Sequence, residues 1–259
     1  MDKLKLTSLL VLTSLIFSCS EQKKSEVEQN EELVEEATKP SKVHIDKVHY
    51  PIPSPDQMFD FINDAGIKYS KELINDVNNS TNYNDPISKS LNFGVYTADL
   101  AYAASYEDIE STIELYKTVK SLSADLDIEE MMSEEMLNKV QDNLQNNDSL
   151  AMIAKKSYYD AIDFLEENDQ SGKLTLMSLG GWVESVYIAL NAIETFDPNT
   201  KTAQRIADQK IIFGNLYAFL KKNENELGVK DALESVPGIR AVFASLHEES
   251  AAASRLDAK

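Results

Sequence analysis

The sequence predicts an all-α protein, and three observations carry this prediction. Glycine and proline are scarce, with 8 and 7 copies in 259 residues. Apolar residues recur at intervals of three and four, the spacing of one face of an α-helix. No stretch of useful length alternates apolar and polar residues as a half-buried strand would. We therefore expect residues 51–250 to form a single compact domain of about eight to ten mostly antiparallel helices with short connections.

Helix start signals place the elements in order along the chain. Ser54-Pro55-Asp56-Gln57 combines an N-cap, a first-turn proline and a capping-box glutamine. Asp85-Pro86 repeats the cap and the proline, Asp148 opens a later helix, and Asn199-Thr200 follows a break at Asp197-Pro198. A frayed tail is expected at residues 251–259. The predicted helices cover residues 55–65, 70–78, 86–104, 107–124, 133–145, 149–167, 173–194, 200–223, 229–235 and 239–249.

The N-terminus has the pattern of a secretory signal peptide. Lys3 and Lys5 supply positive charge, residues 6–17 are almost wholly apolar, and the small residue Ser18 precedes Cys19. A helix of about twelve residues rises about 18 Å, which is too short for a hydrocarbon core of about 30 Å. We expect residues 1–18 to be a signal peptide rather than a membrane span.

The segment Leu15-Ile16-Phe17-Ser18-Cys19-Ser20 contains the only cysteine of the chain. It resembles the lipobox of bacterial lipoproteins, in which the cysteine is diacylated and becomes the first residue of the mature chain. Ile16 stands where leucine is usual and Phe17 is bulkier than average, and both departures are tolerated in that class. The resemblance implies that palmitate-type acyl chains on Cys19 attach the protein to a lipid bilayer. A plain signal peptide with a chance cysteine is the alternative.

The region after Cys19 is strongly acidic. Glutamate dominates residues 20–42 and aromatic residues are absent there, so we expect residues 19–50 to form a flexible tether. The net charge of the chain is −19, and removal of residues 1–18, which carry +1, would leave −20. Nucleic-acid binding needs a cationic surface, so nucleic acid is excluded as a partner. A protein or small-molecule partner stays open.

Two predicted helices are apolar on nearly every side, which is typical of central helices. They cover residues 91–106 and 174–192, and they contain Gly94 and Gly180-Gly181. Glycine inside a helix costs about 1 kcal/mol relative to alanine, and close packing of two backbones is the simplest compensation. We favour this packing over a helix break that lines a pocket.

Each central helix also carries one acid, Asp99 or Glu184. A buried carboxylate has to be paired, hydrogen-bonded or protonated. We expect at least one of these acids to be buried, with a tyrosine hydroxyl, Arg205, Gln209 or Lys210 as donor. The favoured interpretation is a structural polar network, and the alternative is a binding pocket with aromatic walls. The candidate residues are Asp99, Tyr102, Trp182, Glu184, Tyr187, Arg205, Asp208, Gln209 and Lys210.

Motifs for metal, cofactor or catalytic chemistry do not occur. The three histidines, His44, His49 and His247, are far apart, and a second cysteine is missing. Residues 125–136 begin like a calcium loop, but Glu130 stands where that loop needs glycine and the twelfth position is methionine. We expect no cofactor, no metal and no catalytic residue.

Four segments together resemble a family of all-helical lipoproteins of Bacteroidota-type bacteria that has no established activity. They are IPSPDQMFDFINDAG, KSLNFGVYTADLAYAASY, GGWVESVYIAL and ADQK, and the resemblance covers roughly residues 50–245. The resemblance implies a lipoprotein of the cell envelope, placed at the outer membrane. It implies no activity and no catalytic residue.

Three hypotheses for function follow. The favoured one is a membrane-anchored exported lipoprotein with a non-catalytic binding or envelope-maintenance role. The second is an enzyme that uses Asp99 and Glu184 as an acid/base pair in a helical pocket. The third is a structural subunit of an envelope complex, which would expose an apolar patch of several hundred Å².

One tripeptide, Asp148-Ser149-Leu150, resembles the O-glycosylation acceptor of exported proteins of the same bacteria. Ser149 is therefore a possible O-glycosylation site. The simpler interpretation is that Asp148 caps the following helix, and the two interpretations are compatible.

Overall fold

A computed structural model describes residues 68–132, 138–139, 143, 147–193, 195–250 and 253–255. The predicted signal peptide, Cys19, the tether, the predicted helix 55–65 and most of the predicted helix 133–145 lie outside these residues.

The described part of the chain is α-helical, which confirms the predicted class for that part. Asp85 acts as an N-cap as predicted, and Thr200, which was predicted as the first residue of its helix, is the N-cap of that helix. The side chains of both accept hydrogen bonds from backbone N–H groups of the first helical turn. Three short 3₁₀ helices, Lys71–Leu73, Val77–Asn82 and Glu129–Met131, lie between the longer elements. The α-helices are α1 Pro86–Ser105, α2 Ile109–Asp125, α3 Asn147–Glu167, α4 Ser171–Asn191, α5 Lys201–Lys222, α6 Val229–Ser235 and α7 Pro237–Ala244.

The centre of the fold is the pair α1 and α4, which pack backbone against backbone. A Cβ atom added to Gly94 would overlap the carbonyl oxygen of Met177 and lie 2.7 Å from the amide nitrogen of Gly181. A Cβ atom added to Gly180 would overlap the carbonyl oxygen of Leu91. The prediction that these glycines permit close helix packing is confirmed.

Helices α1 and α4 run in the same direction. The N-terminal turns of the two helices meet around Ile87 and Gly172, which line one cavity. Asp99 and Glu184 meet about one turn beyond the glycines. Helices α1 and α2 are antiparallel, since Lys89 near the start of α1 pairs with Asp125 at the end of α2, with 2.6 Å between Nζ and Oδ2. The central pair thus departs from the antiparallel arrangement that was expected for most of the helices.

Hydrophobic side chains fill two clusters on either side of this pair. One cluster joins α1, α2 and α3 to the first turns of α4, and it includes Phe93, Tyr96 and Leu115. The other joins α1 and α4 to α5, α6 and α7, and it includes Tyr102, Trp182, Phe213 and other residues. Helix α4 lies between both clusters, which explains why its sequence is apolar on nearly every side.

The predicted helix at 70–78 is wrong. The structure has the 3₁₀ turn Lys71–Leu73, an extended Ile74 with φ −81° and ψ 138°, and the 3₁₀ helix Val77–Asn82. The backbone N–H groups of Ser70 and Asn75 donate to side chains of α1 rather than to the local chain. Tertiary hydrogen bonds thus replace the local bonds of a helix.

The C-terminal end also differs from the prediction. Helix α7 stops at Ala244 rather than continuing to 249, and the carbonyl oxygen of Leu246 accepts a hydrogen bond from Lys210 Nζ at 3.1 Å. Residues His247–Ser250 then form strand β1, which pairs antiparallel with β2, Ala253–Arg255. Residues 253–255 are therefore paired, within a tail that was expected to fray from 251.

Candidate functional site

One face of α1 carries three polar side chains that are wholly buried. Tyr96, Asp99 and Tyr102 are each 0% exposed. Their spacing of three residues places them on one side of the helix, each about one turn from the next. The segment that precedes α1, residues 69–76, lies across this face, and we call it the strap.

Hydrogen bonds along the strap attach it to α1. The backbone N–H of Ser70 donates to the Tyr102 hydroxyl at 3.0 Å. The Tyr96 hydroxyl donates to the carbonyl oxygen of Asp76 at 3.0 Å. Near its start, the strap's Tyr69 donates its hydroxyl to Oδ2 of Asp108, the N-cap of α2, at 2.7 Å. The strap is therefore fixed at both ends.

The middle of the strap covers the two acids of the central helices. Both N–H donors of Asn75 reach Oδ2 of Asp99, the backbone N at 3.2 Å and the side-chain Nδ2 at 3.1 Å. Glu184 projects from α4 against the same carboxyl group and is 7% exposed. The structure thus brings together the two acids that the sequence singled out, and Asn75 is the donor to Asp99 rather than Arg205, Gln209, Lys210 or a tyrosine.

Two oxygen atoms of this acid pair have no nitrogen or hydroxyl donor. They are Oδ1 of Asp99 and Oε1 of Glu184, and both are buried. Within the described residues, no lysine or arginine forms an ion pair with either carboxyl group. Two ionised carboxylates in contact under these conditions would carry a large desolvation and repulsion cost.

Burial and mutual contact raise the affinity of the pair for protons. Burial raises the pKa of Glu184 to about 8, the neighbouring charge of Asp99 adds to this rise, and the Asn75 side chain opposes it. Burial also raises the pKa of Asp99, to about 6, while hydrogen bonds from Asn75 and Glu184 oppose that rise. The pKa values of both carboxyl groups are therefore raised, that of Glu184 more than that of Asp99, and the two groups titrate as a coupled pair.

The other predicted site residues lie elsewhere. Trp182 faces away from the acids, and its Nε1 donates to Oε1 of Gln209 on α5 at 3.1 Å. This pair is part of an aromatic cluster, since the Trp182 ring lies 5.1 Å from that of Phe213 and 6.0 Å from that of Phe243. Trp182 and Gln209 therefore form a neutral polar contact inside the second hydrophobic cluster.

The remaining candidates lie at or near the surface. Tyr187 is 47% exposed, and Arg205 is also exposed. Asp208 accepts a hydrogen bond from Gln204 at 3.0 Å, one turn earlier on α5. Lys210 bonds to the C-terminal segment as described above. The nine candidates thus divide among an acid pair with Tyr102 beside it, an aromatic contact and a surface group, and they do not form one pocket.

A cavity of about 200 Å³ opens where the N-terminal turns of α1 and α4 meet. Neither Asp99 nor Glu184 lines it. Its lining residues are Pro86, Ile87, Ser90, Asp169, Gln170, Gly172, Lys173, Leu176, Glu226 and Leu227.

Other predicted features can be placed in part. The described residues hold no group of three or more histidine, cysteine, aspartate or glutamate side chains that could bind a metal ion. Among the same residues, no helix combines the length and the apolar character that crossing a bilayer requires. Helix α3 begins at Asn147, so Asp148 lies inside its first turn and is not its N-cap. Ser149 is half-buried in that turn.

Asn75 is the residue that sequence reasoning missed. It stands in the run Ile74-Asn75-Asp76-Val77-Asn78-Asn79, and short amide and acid side chains of this kind favour turns over helices. That signal argued against the helix predicted at 70–78, although it did not identify the partner of Asn75.

Comparison of the chain with models of protein families, with curated proteins and with solved structures finds no match to any of them. The chemistry of the site therefore rests on its own geometry: a buried pair of carboxyl groups in contact beneath a surface strap.

Proposed function

We propose that this protein is a membrane-anchored exported lipoprotein with a non-catalytic binding or envelope-maintenance role at the outer membrane. The observation that carries the proposal is the segment Leu15-Ile16-Phe17-Ser18-Cys19-Ser20, which places the single cysteine of the chain where a lipoprotein is cleaved and acylated. The acidic composition after Cys19 is compatible with a tether that separates a folded domain from the lipid surface.

The burial of the acid pair supports a non-catalytic role. A general acid or base must come within hydrogen-bond reach of its substrate. Asp99 is wholly buried, Glu184 nearly so, and Asn75 occupies one oxygen of Asp99. The pair does not line the cavity between α1 and α4. An enzyme built on these two acids is therefore the less favoured hypothesis.

A structural subunit of an envelope complex is the second candidate, and one observation favours it. Val183, Tyr187 and Leu190 are 41%, 47% and 51% exposed. Their spacing of four and three residues places them on one face of α4. An apolar stripe of this kind is typical of a surface that contacts another molecule. Val183→Glu with Leu190→Glu should shift the protein from any large complex to a smaller species in native electrophoresis of solubilised envelopes.

Acylation is tested with Cys19→Ala in the native host. Wild-type protein should incorporate labelled palmitate and sediment with outer membranes on a density gradient. Cys19→Ala should incorporate no label and move into the soluble envelope fraction. Ser20→Ala is the matched control, since it alters the neighbouring residue and keeps the thiol. A Cys19→Ala variant that stays in the membrane fraction, with an unlabelled wild type, would refute the lipid anchor.

A further inference from the structure

We propose that the strap is a proton-dependent latch: a single proton shared by Asp99 and Glu184 holds residues 69–76 against α1, and opening of the strap releases that proton. The inference concerns the folded domain and is independent of the lipid anchor.

The pattern of unpaired atoms points to one shared proton. Oδ2 of Asp99 accepts two N–H donors from Asn75, so this carboxyl group is arranged as an acceptor. The buried atoms left over are one oxygen on each acid. A protonated Glu184 that donates to Oδ1 of Asp99 would satisfy both atoms with one hydrogen bond. The raised pKa of Glu184 agrees with this arrangement.

The strap is the element that yields when the proton is absent. Helices α1 and α4 are interlocked at their glycines and are covered by the two hydrophobic clusters. No residue of the strap is buried: Tyr69, Leu73 and Ile74 pack only partly buried against the hydrophobic clusters, and the hydrogen bonds of the strap to α1 add to this attachment. Segments with few buried apolar contacts open at lower free energy than the core. Opening the strap therefore admits water to both carboxyl groups without separating the helices.

The charged groups around Asp99 and Glu184 do not compensate a second negative charge on this acid pair. On the strap, Glu72 is exposed, Asp76 caps the helix Val77–Asn82, and Lys71 pairs with Glu110 of α2 at 3.6 Å. Tyr96 on α1 lies close to Asp99, Tyr83 after the strap lies close to Tyr96, and Asp108 of α2 binds Tyr69. The acidic groups among these would oppose further ionisation, and Lys71, the cation of the strap, is paired with Glu110.

The direction of the pH effect follows from the raised proton affinity. A glutamate exposed by opening has a pKa of about 4.3, whereas that of Glu184 in the closed form is about 8. The population of the open form relative to the closed form therefore increases as the pH rises through this range, by up to about tenfold per pH unit. The increase levels off above this range.

The test is hydrogen exchange of the full-length mature chain, measured by mass spectrometry at pH 5.5, 7.0 and 8.5 and corrected for intrinsic exchange rates. Peptides that contain the N–H groups of Ser70 and Asn75 should lose protection by about tenfold or more between the lowest and highest pH. Peptides from the glycine region of α1 and α4 should change far less. That contrast distinguishes opening of the strap from unfolding of the domain.

Glu184→Gln provides the decisive variant. Its amide can donate to Asp99 as the protonated acid does, but it cannot lose a proton, so the strap should stay protected at pH 8.5. Glu114→Gln, on the exposed surface of α2, removes the same charge and should behave as wild type. Asn75→Ala should expose the strap at every pH, which provides a reference for the open form even if Glu184→Gln folds poorly.

Three results would overturn the proposal. The first is strap protection that does not change with pH in the wild type. The second is a pH response in Glu184→Gln equal to that of the wild type. The third is recovery of strap protection at pH 8.5 on addition of millimolar Ca²⁺ or Mg²⁺, because the pair would then be a cation site rather than a proton latch.

Discussion

Two regions of the α1–α4 interface are held together by different kinds of interaction. At Gly94, Gly180 and Gly181 the two backbones touch, and the contact depends on shape alone. One to two turns further along, Asp99 and Glu184 meet, and their contact depends on charge, a proton and the strap. The first region has no titratable group, whereas the second depends on the state of two.

The difference shows how one helix pair can be both rigid and responsive. Close packing of backbones resists any change in the distance between the helices, because protein interiors have little free volume. The acid pair adds a group whose protonation alters the fit of a surface segment while the packed region stays in place. Disturbing the glycines should therefore affect stability at every pH, and disturbing the acids should have an effect that varies with pH.

The largest effect is expected for Gly94→Ala. The added methyl group would overlap the backbone carbonyl of Met177, which cannot rotate away as a side chain could. The helices would have to separate, and we expect the free energy of unfolding to fall by about 3 kcal/mol or more at all pH values between 5 and 8.5. Denaturant titration measures this loss. A loss below about 1 kcal/mol would show that the glycine contact is not tight.

Asp99→Ala should have the next largest effect. It removes the acceptor for both N–H groups of Asn75 and leaves Glu184 buried without its partner. Unsatisfied buried donors and a buried unpaired acid predict a loss of about 2 to 3 kcal/mol. Asp160→Ala, at an exposed position of α3 whose ion pair with Lys156 joins neighbouring turns, is the control and should cost less than about 0.5 kcal/mol. Equal losses for the two variants would contradict the assigned role of Asp99.

The sequence predicted the features that depend on residues that are unusual at their positions. A glycine in an apolar helix and an isolated acid on such a helix each require an explanation, so Gly94, Gly180-Gly181, Asp99 and Glu184 could be identified without the structure. The cap at Asp85 was predictable because cap chemistry is local.

The features that were missed are non-local. The strap takes its shape from hydrogen bonds between Asn75 and Asp99, which are 24 residues apart, and local propensity instead predicted a helix there. The parallel direction of α1 and α4 depends on the path of the long segment of chain between them, which local sequence patterns do not determine. Trp182 and Glu184 are two residues apart on α4, so their side chains lie on different faces of the helix and contact different neighbours. A list of the polar residues of that helix does not show which face each one occupies.

The wild-type protein should lose stability as the pH rises through the titration range of the acid pair. Both acids have raised pKa values in the folded protein, about 6 and about 8, so the folded state binds more protons than the unfolded state above about pH 4. The free energy of unfolding should fall by up to about 1.4 kcal/mol per pH unit for each extra proton, and the fall should end near pH 8. Denaturant titrations at half-unit intervals from pH 4.5 to 9 measure it.

Glu184→Gln should remove most of the fall in the free energy of unfolding between pH 6 and 8. The exposed variant Glu114→Gln should leave this fall unchanged. The pKa values of Asp85 and Asp108 are lowered by hydrogen bonds, from Ser88 to Asp85 and from Tyr69 and Ser111 to Asp108. Desolvation opposes both shifts and is the largest single effect in Asp108. Their contribution changes only below about pH 4, so it does not affect this range. If the free energy of unfolding of the wild type did not change from pH 5 to 8, the contact between Asp99 and Glu184 would not depend on protonation as described.

The smallest expected effect is that of Gly214→Ala, and it has the opposite sign to Gly94→Ala. Gly214 is exposed in the middle of α5, and an added Cβ atom would have no atom within 4 Å. Alanine favours a helix interior by about 0.8 to 1 kcal/mol over glycine, so the free energy of unfolding should rise by that amount or somewhat less. Gly94→Ala gains the same helix preference and still should lose stability, since the contact with α4 outweighs it. Thermal and denaturant unfolding of the two variants in parallel therefore separates the intrinsic preference from the contact, and a stabilised Gly94→Ala would show that shape does not hold the two helices together.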